Sequence, residues 1–193
     1  MKYYKIIDSD EYINPDDIIC YTDEEFENKF KIKHYDLNEG RLLQDYSEKI
    51  IFYYDRHNGN IPTDYISNDL GWLIISLKFK KILESIGVYN VQYIPIEIRE
   101  KTTNDILIGY NIVNIIGLVD GLNLNESVYK VLKVRNKEYI SVTKPALDIN
   151  KLKGLHLARV KDCVFVTFVS EALIKELLNN NITGCDFLEV KVV

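Results

Sequence analysis

Ser76 to Ile98 reads SLKFKKILESIGVYNVQYIPIEI. Its serine suits a helix N-cap, where a side-chain oxygen can accept an otherwise orphaned backbone N–H. Phe79, Ile82, Leu83 and Ile86 follow at i, i+3, i+4 and i+7, the apolar stripe of an amphipathic helix. The pattern then turns to strand. Val91 and Tyr93 alternate in one phase, and Ile94, Ile96 and Ile98 in the other. Strand side chains alternate faces with period two. Such a change of phase requires either a bulge or burial on both faces.

The same unit recurs, without a gap, between Ser170 and Val192: SEALIKELLNNNITGCDFLEVKV. Phe79 aligns with Leu173, Lys81 with Lys175, Leu83 with Leu177 and Val88 with Ile182. Cys185 and Phe187, then Leu188, Val190 and Val192, change phase at the same place as the first copy. The two stretches read as one structural unit used twice, with the helical stripe rotated in the second copy. The expected fold class is α+β: a mixed, largely antiparallel sheet with a few helices, containing a helix-strand unit repeated at 76–98 and 170–192.

Outward from the repeat, Lys2–Ile7, Ile18–Tyr21 and Lys49–Tyr54 read as strands. Thr22 and Glu25 have the spacing of a capping box for a short helix ending near Phe30, and Asp64–Ser67 reads as a helical turn. Between the copies, Ile106–Ile116 is rich in β-branched residues and reads as strand. Val128–Val134 and Glu138–Val142 have the spacing of a hairpin around Asn136-Lys137. Leu155–Val160 and Cys163–Phe168 complete the strands. At 193 residues the chain has length for one ample core. Residues 1–193 are expected to form a single domain, with 1–40 as a possible N-terminal appendage to a core at 41–193.

Chemistry is sparse. Cys20, Cys163 and Cys185 lack metal-ligand or redox spacing and read as reduced core thiols of a cytosolic protein. There is no phosphate-binding glycine motif, nucleophile elbow or H-E-x-x-H, and neither a metal nor a cofactor is expected. The N-terminus has no apolar core of a signal peptide, and no apolar run is long enough to span a membrane. His156, Cys163 and Asp162 are the best catalytic trio on offer, and a hairpin over 155–168 would hold His156 at the far end from Cys163. Asp55, His57 and Asn58 read as a turn. The net charge of −5 is uneven: the first sixty residues hold 14 acids and 8 Lys/Arg, the rest 15 and 16, and nine acids without a base lie between Lys5 and Lys29. Such a face repels nucleic acid and attracts a basic partner. Lys78, Lys80 and Lys81 read as a solvated helix face.

The order of several short motifs carries a resemblance. Gly40 to Asp45 is followed by Gly71 to Ser76 and by Val91 to Ile96. Then come Tyr110 to Val113, Gly117 to Asp120, Ser127 with an aromatic after it, and Gly154 to Arg159. Last are Phe168 to Ser170 and Ile182 to Phe187. Over residues 40–193 the chain resembles a family of bacterial immunity proteins from polymorphic toxin systems. It departs from the family pattern at Ala158, where an aromatic is usual, and at Gly87, which comes earlier in its unit than Gly184. The resemblance implies a non-catalytic protein that binds a cognate protein toxin in the producer's cytoplasm, with no nucleic-acid or membrane partner. An interface of this kind needs exposed aromatic anchors with charged neighbours. Tyr12, Asp16, Asp17 and Tyr21 form the first candidate patch, and Tyr53, Arg56 and His57 the second. Two other readings stay open here: a structural or adaptor protein of a phage or secretion locus, and a small enzyme built on His156, Cys163 and Asp162.

Overall fold

The structure is a computed structural model describing residues 1–8, 14–46, 49–135 and 137–193. Both serines cap helices. The Oγ of Ser76 accepts from the backbone N–H of Phe79, and that of Ser170 from Leu173, each at 3.2 Å. Helix α2 spans Leu77–Ser85 and α4 spans Glu171–Asn179. The other helices are short: α1 at Phe26–Phe30 and α3 at Ile149–Leu152.

The strands are β1 (Tyr3–Asp8), β2 (Ile50–Tyr54), β3 (Tyr65–Ile66), β4 (Ile74–Ser76), β5 (Val91–Glu100) and β6 (Ile106–Ile115), then β7 (Val128–Val134), β8 (Lys137–Lys144), β9 (Ala146–Leu147), β10 (Leu157–Val160), β11 (Cys163–Ser170) and β12 (Cys185–Val192). They form two five-stranded sheets and a two-stranded ribbon, an α+β architecture in which antiparallel pairs dominate. Sheet one runs β9, β12, β1, β11, β10 and sheet two runs β2, β5, β6, β4, β3. In both, the first pair is parallel and the other three are antiparallel. The repeat is therefore larger than a helix and a strand. Each unit is a whole sheet in which a helix joins two parallel strands and one antiparallel strand fills the slot between them. In the first unit that central strand is β6, directly after β5. In the second it is β1, brought from the other end of the chain.

Local bonds repeat as well. The Ser76 N–H donates to the Asp64 carbonyl at 2.8 Å, and the Ser76 hydroxyl to Asp64 Oδ1 at 2.6 Å. The Ser170 N–H donates to the His156 carbonyl at 3.0 Å, and the Ser170 hydroxyl lies 2.8 Å from His156 Nδ1. The units also grip each other reciprocally. Tyr65 N–H donates to the Thr183 carbonyl at 3.0 Å, and Asn90 Nδ2 donates to the Leu157 carbonyl at 3.0 Å. Helices α2 and α4 share one core, with Phe79, Leu83, Leu173 and Leu177 among its fully or almost fully buried members.

The phase change in β5 comes from burial on both faces. Pairing with β6 is unbroken from Val91 to Ile96. Val91 and Tyr93 pack on the helices, while Ile94, Ile96 and Ile98 face a second core. That core is closed by residues 18–43, including Ile18, Phe26, Phe30, Ile32 and Leu37. Phe26 stacks edge-on with Phe30 at 5.1 Å and with Trp72 at 5.8 Å. The outer face of sheet one carries a third core with Tyr3, Leu147, Leu152 and Phe168.

Three local expectations fail. Asp64–Ser67 contains strand β3 rather than a helical turn, because Tyr65 and Ile66 pair with β4. Thr22 makes no capping box: its hydroxyl donates to Asp69 at 2.8 Å, and α1 starts beyond Glu25 without a side-chain cap. Ile18–Tyr21 forms isolated bridges to Asn68 and Tyr53 rather than a strand.

Candidate partner-binding site

The two candidate patches meet. Asp16 offers its carbonyl to the N–H groups of Asn60 and Ile61, both at 2.7 Å. Tyr21 and Tyr53 exchange backbone hydrogen bonds of 2.9 and 2.8 Å, and their rings lie 6.4 Å apart. The approach demands Gly59: a Cβ there would sit 2.1 Å from the Asp17 carbonyl oxygen. Asp16 and His57 are exposed, whereas Asp17, Tyr21 and Tyr53 are half-buried. Tyr12 lies outside the described residues.

Arg56 is committed to the fold. Its Nη2 donates to Asp105 at 2.8 Å and to Thr103 Oγ1 at 2.9 Å. Its Nε lies 3.6 Å from Glu100, whose side chain is wholly covered. Glu100 closes the β5–β6 turn by accepting N–H bonds from Thr102 at 2.7 Å and from Thr103 at 2.5 Å. The Thr103 N–H leads the effects that hold the Glu100 carboxyl down at about 2. His57 belongs to a turn closed by Asp55 Oδ1, which accepts its N–H at 2.9 Å.

The enzymatic trio is not assembled. In the β10–β11 pairing Leu157 faces Val169 and Val160 faces Cys163. His156 is held by Ser170 at the far end of that hairpin from Cys163. Cys20, Cys163 and Cys185 are free thiols in buried positions, and burial raises all three above the ordinary thiol value. No cluster of three potential metal ligands occurs among the described residues. No helix among them is long and apolar enough to cross a membrane.

The motif residues behind the resemblance hold the scaffold together. Gly117 N–H donates to the Gly40 carbonyl at 2.7 Å, and a Cβ on Gly40 would lie 2.8 Å from Leu118. Arg159, only 4% exposed, donates to the Leu37 carbonyl at 2.8 Å and to Asn38 Oδ1. Burial lowers its guanidinium from 12.5 to about 10. Ser127 Oγ donates to the Asn123 carbonyl at 2.6 Å and accepts from Ala146 N–H at 2.8 Å, fixing the base of the ribbon. The family model described as "Immunity protein family (Imm11)" matches residues 4–192. The chain belongs to the Imm11 immunity protein family. No curated protein matches it. The Imm11 match begins at residue 4, so it takes in residues 4–40, for which the short motifs had no counterpart.

In this Imm11 protein the ribbon of β7 and β8, which was not among the candidates drawn from sequence, exposes apolar side chains. Val128, Val131, Leu132 and Tyr139 are 48–55% exposed there. The signal was present: VYKVLKV does not alternate cleanly, so apolar side chains must emerge on both faces of an antiparallel ribbon.

Proposed function

We propose that this protein neutralises a cognate protein toxin by stoichiometric binding, without turnover, in the cytoplasm of the cell that makes both. The match to an immunity family along residues 4–192 carries this reading. The fold suits it: two sheets locked by reciprocal bonds supply the rigid scaffold that a preorganised inhibitor needs. The acidic face at Asp16, Asp17 and Asp55 lies where loop 14–21 crosses turn 55–61, beside His57, and would steer a basic region of the toxin toward the protein.

The test is co-expression with the product of the adjacent open reading frame. That product should stop growth alone, and this chain should restore growth and co-purify with it. A harmless neighbour, or no rescue, ends the immunity reading. Asp16→Lys with Asp17→Lys should slow association about tenfold at low salt. Unchanged association removes the acidic face from the interface.

A further inference from the structure

The internal symmetry shows what sheet one lacks. The centre of the outer face of sheet two is a row across three strands: Ile94, Ile112 and Ile74, paired in register. All three are 0% exposed beneath the chain's own segment 18–43. In sheet one the same row is Leu188, Lys5 and Phe168. Leu188 is 50% exposed, where its counterpart Ile94 is fully covered. Lys5 occupies the place of Ile112, half-buried in the middle of a sheet face, and forms no ion pair among the described residues. A cation without an ion pair in the middle of a sheet face stands out where the equivalent position holds isoleucine.

Above this row stands the ribbon. Among the described residues it pairs only with itself. A lone two-stranded ribbon is marginal in water, and each of its strands keeps an unpaired edge. Beneath it are two hollows. One, of about 410 Å³, is lined by Lys5, Val128, Pro145 and Leu188 and by two carboxylates already paired elsewhere, Glu126 with Lys191 and Glu189 with Lys2. The other, of about 650 Å³, is lined by Tyr139, Val142, Cys163, Phe165 and Val166. Phe165 is 79% exposed. The ribbon sequence 128–144 holds five basic residues against the single acid Glu138. Glu138 is taken by Lys133 at 3.0 Å, so Lys130, Arg135 and Lys144 have no ion pair among the described residues.

We propose that the hollow between the β7–β8 ribbon and the outer face of sheet one is where the toxin docks, through an extended acidic segment that sets a carboxylate on Lys5 and apolar side chains on Leu188 and the ribbon. The proposal rests on the immunity reading and names the surface that serves it. The chain supplies its own template for the occupant. Segment 18–43, which covers the equivalent face of sheet two, joins the short helix α1 to non-strand stretches, is net acidic and is anchored by apolar side chains. A second copy is the poorer occupant. Ribbon against ribbon would oppose like charges, and ribbon against another copy's acidic face would be a head-to-tail contact, a ring or a filament that light scattering detects.

The experiment measures affinity for the purified product of the adjacent open reading frame, inactivated for handling, with hydrogen exchange of the complex and light scattering of the free protein. Four proteins are compared: the wild type, Lys5→Met, Val131→Ser with Leu132→Ser, and Asp16→Lys with Asp17→Lys. Lys5→Met keeps the side-chain length and should weaken binding at least tenfold through faster dissociation. The ribbon variant changes only exposed side chains and should do the same while unfolding at the wild-type temperature. Residues 128–144 and 163–166 should become protected in the complex. If wild type binds and both the Lys5 and ribbon variants bind equally well, the docking proposal is wrong and the immunity reading stands. Loss confined to the Asp16/Asp17 variant has the same meaning. If wild type itself fails to bind, the immunity reading falls and this proposal with it. A free protein that is dimeric, with its ribbon protected, overturns the proposal in favour of a second copy.

Discussion

Replacing Gly87 and Gly184 with alanine, one at a time, isolates what joins the two units. Both glycines sit at helix–strand junctions with positive φ, +80° and +90°. An alanine at either position meets the same left-handed backbone penalty, about 1 kcal/mol. Their surroundings differ. A Cβ on Gly87 meets nothing within 4 Å, whereas one on Gly184 would lie 2.1 Å from the Tyr65 carbonyl oxygen and 2.7 Å from Thr63 Oγ1. The junction would have to retreat by about 1 Å or more to reach van der Waals separation. That retreat breaks the Tyr65–Thr183 bond of 3.0 Å and loosens the Thr183 bond to Asp64 and the Lys78 bond to the Asn181 carbonyl. Two or three hydrogen bonds at about 1 kcal/mol each, added to the backbone term, give about 3–4 kcal/mol for Gly184→Ala. Urea unfolding followed by the fluorescence of Trp72 measures both. Trp72 is the chain's single tryptophan, 2% exposed in the core of sheet two. A Gly184 variant within about 0.5 kcal/mol of the Gly87 variant would refute the claim that this close approach holds the units together.

Three further outcomes are expected. The Glu100 carboxyl falls from an ordinary 4.5 to about 2 in the folded chain. Its stabilisation is therefore complete above 4.5 and lost as pH falls from there toward 2. Glu100→Gln should lower stability at neutral pH and flatten that acid decline in pH-dependent urea titrations; an unchanged decline assigns it to other carboxylates. Phe26→Ala should cost about 3–5 kcal/mol by opening the aromatic cluster with Phe30, Phe52 and Trp72. A loss under 1 kcal/mol in the same titration would make segment 18–40 an appendage to the sheets rather than part of their core. Tyr3 pairs with Val190, so the two ends of the chain run side by side. A permutant joining Val193 to Met1 by a short turn, opened between Asp8 and Asn14, would follow the strand order of the first unit and should melt within a few degrees of the parent. A permutant that does not fold would refute the equivalence of β1 and β6.

Local signals were legible because they depend on neighbours in the chain. Serine caps, the stripe from Phe79 to Ile86 and the β-branched run from Ile106 all act within a turn or a strand, and the structure contains them. The matching phase change at Tyr93–Ile94 and Phe187–Leu188 called for a bulge or for burial on both faces; β5 is covered on both, whereas Leu188 in β12 is 50% exposed. The capping box at Thr22 failed because Asp69, forty-seven residues away, competes for the hydroxyl. Strand β3 was invisible because two residues carry no periodicity; only β4 makes Tyr65–Ile66 a strand. The acidic patch was legible as a run of charge. Its union with Tyr53 and His57 was not, since it rests on Gly59 letting the Asp17 backbone approach.

Sequence periodicity was enough to establish two copies of one helix-strand unit, because such patterning reflects which face each side chain must bury. That each copy is a full five-stranded sheet, with β1 in the second filling the slot that β6 fills in the first, belongs to the folded molecule alone. Hydrogen bonding between strands is blind to distance along the chain, so no local pattern could reveal that Lys5 stands where the other unit has Ile112.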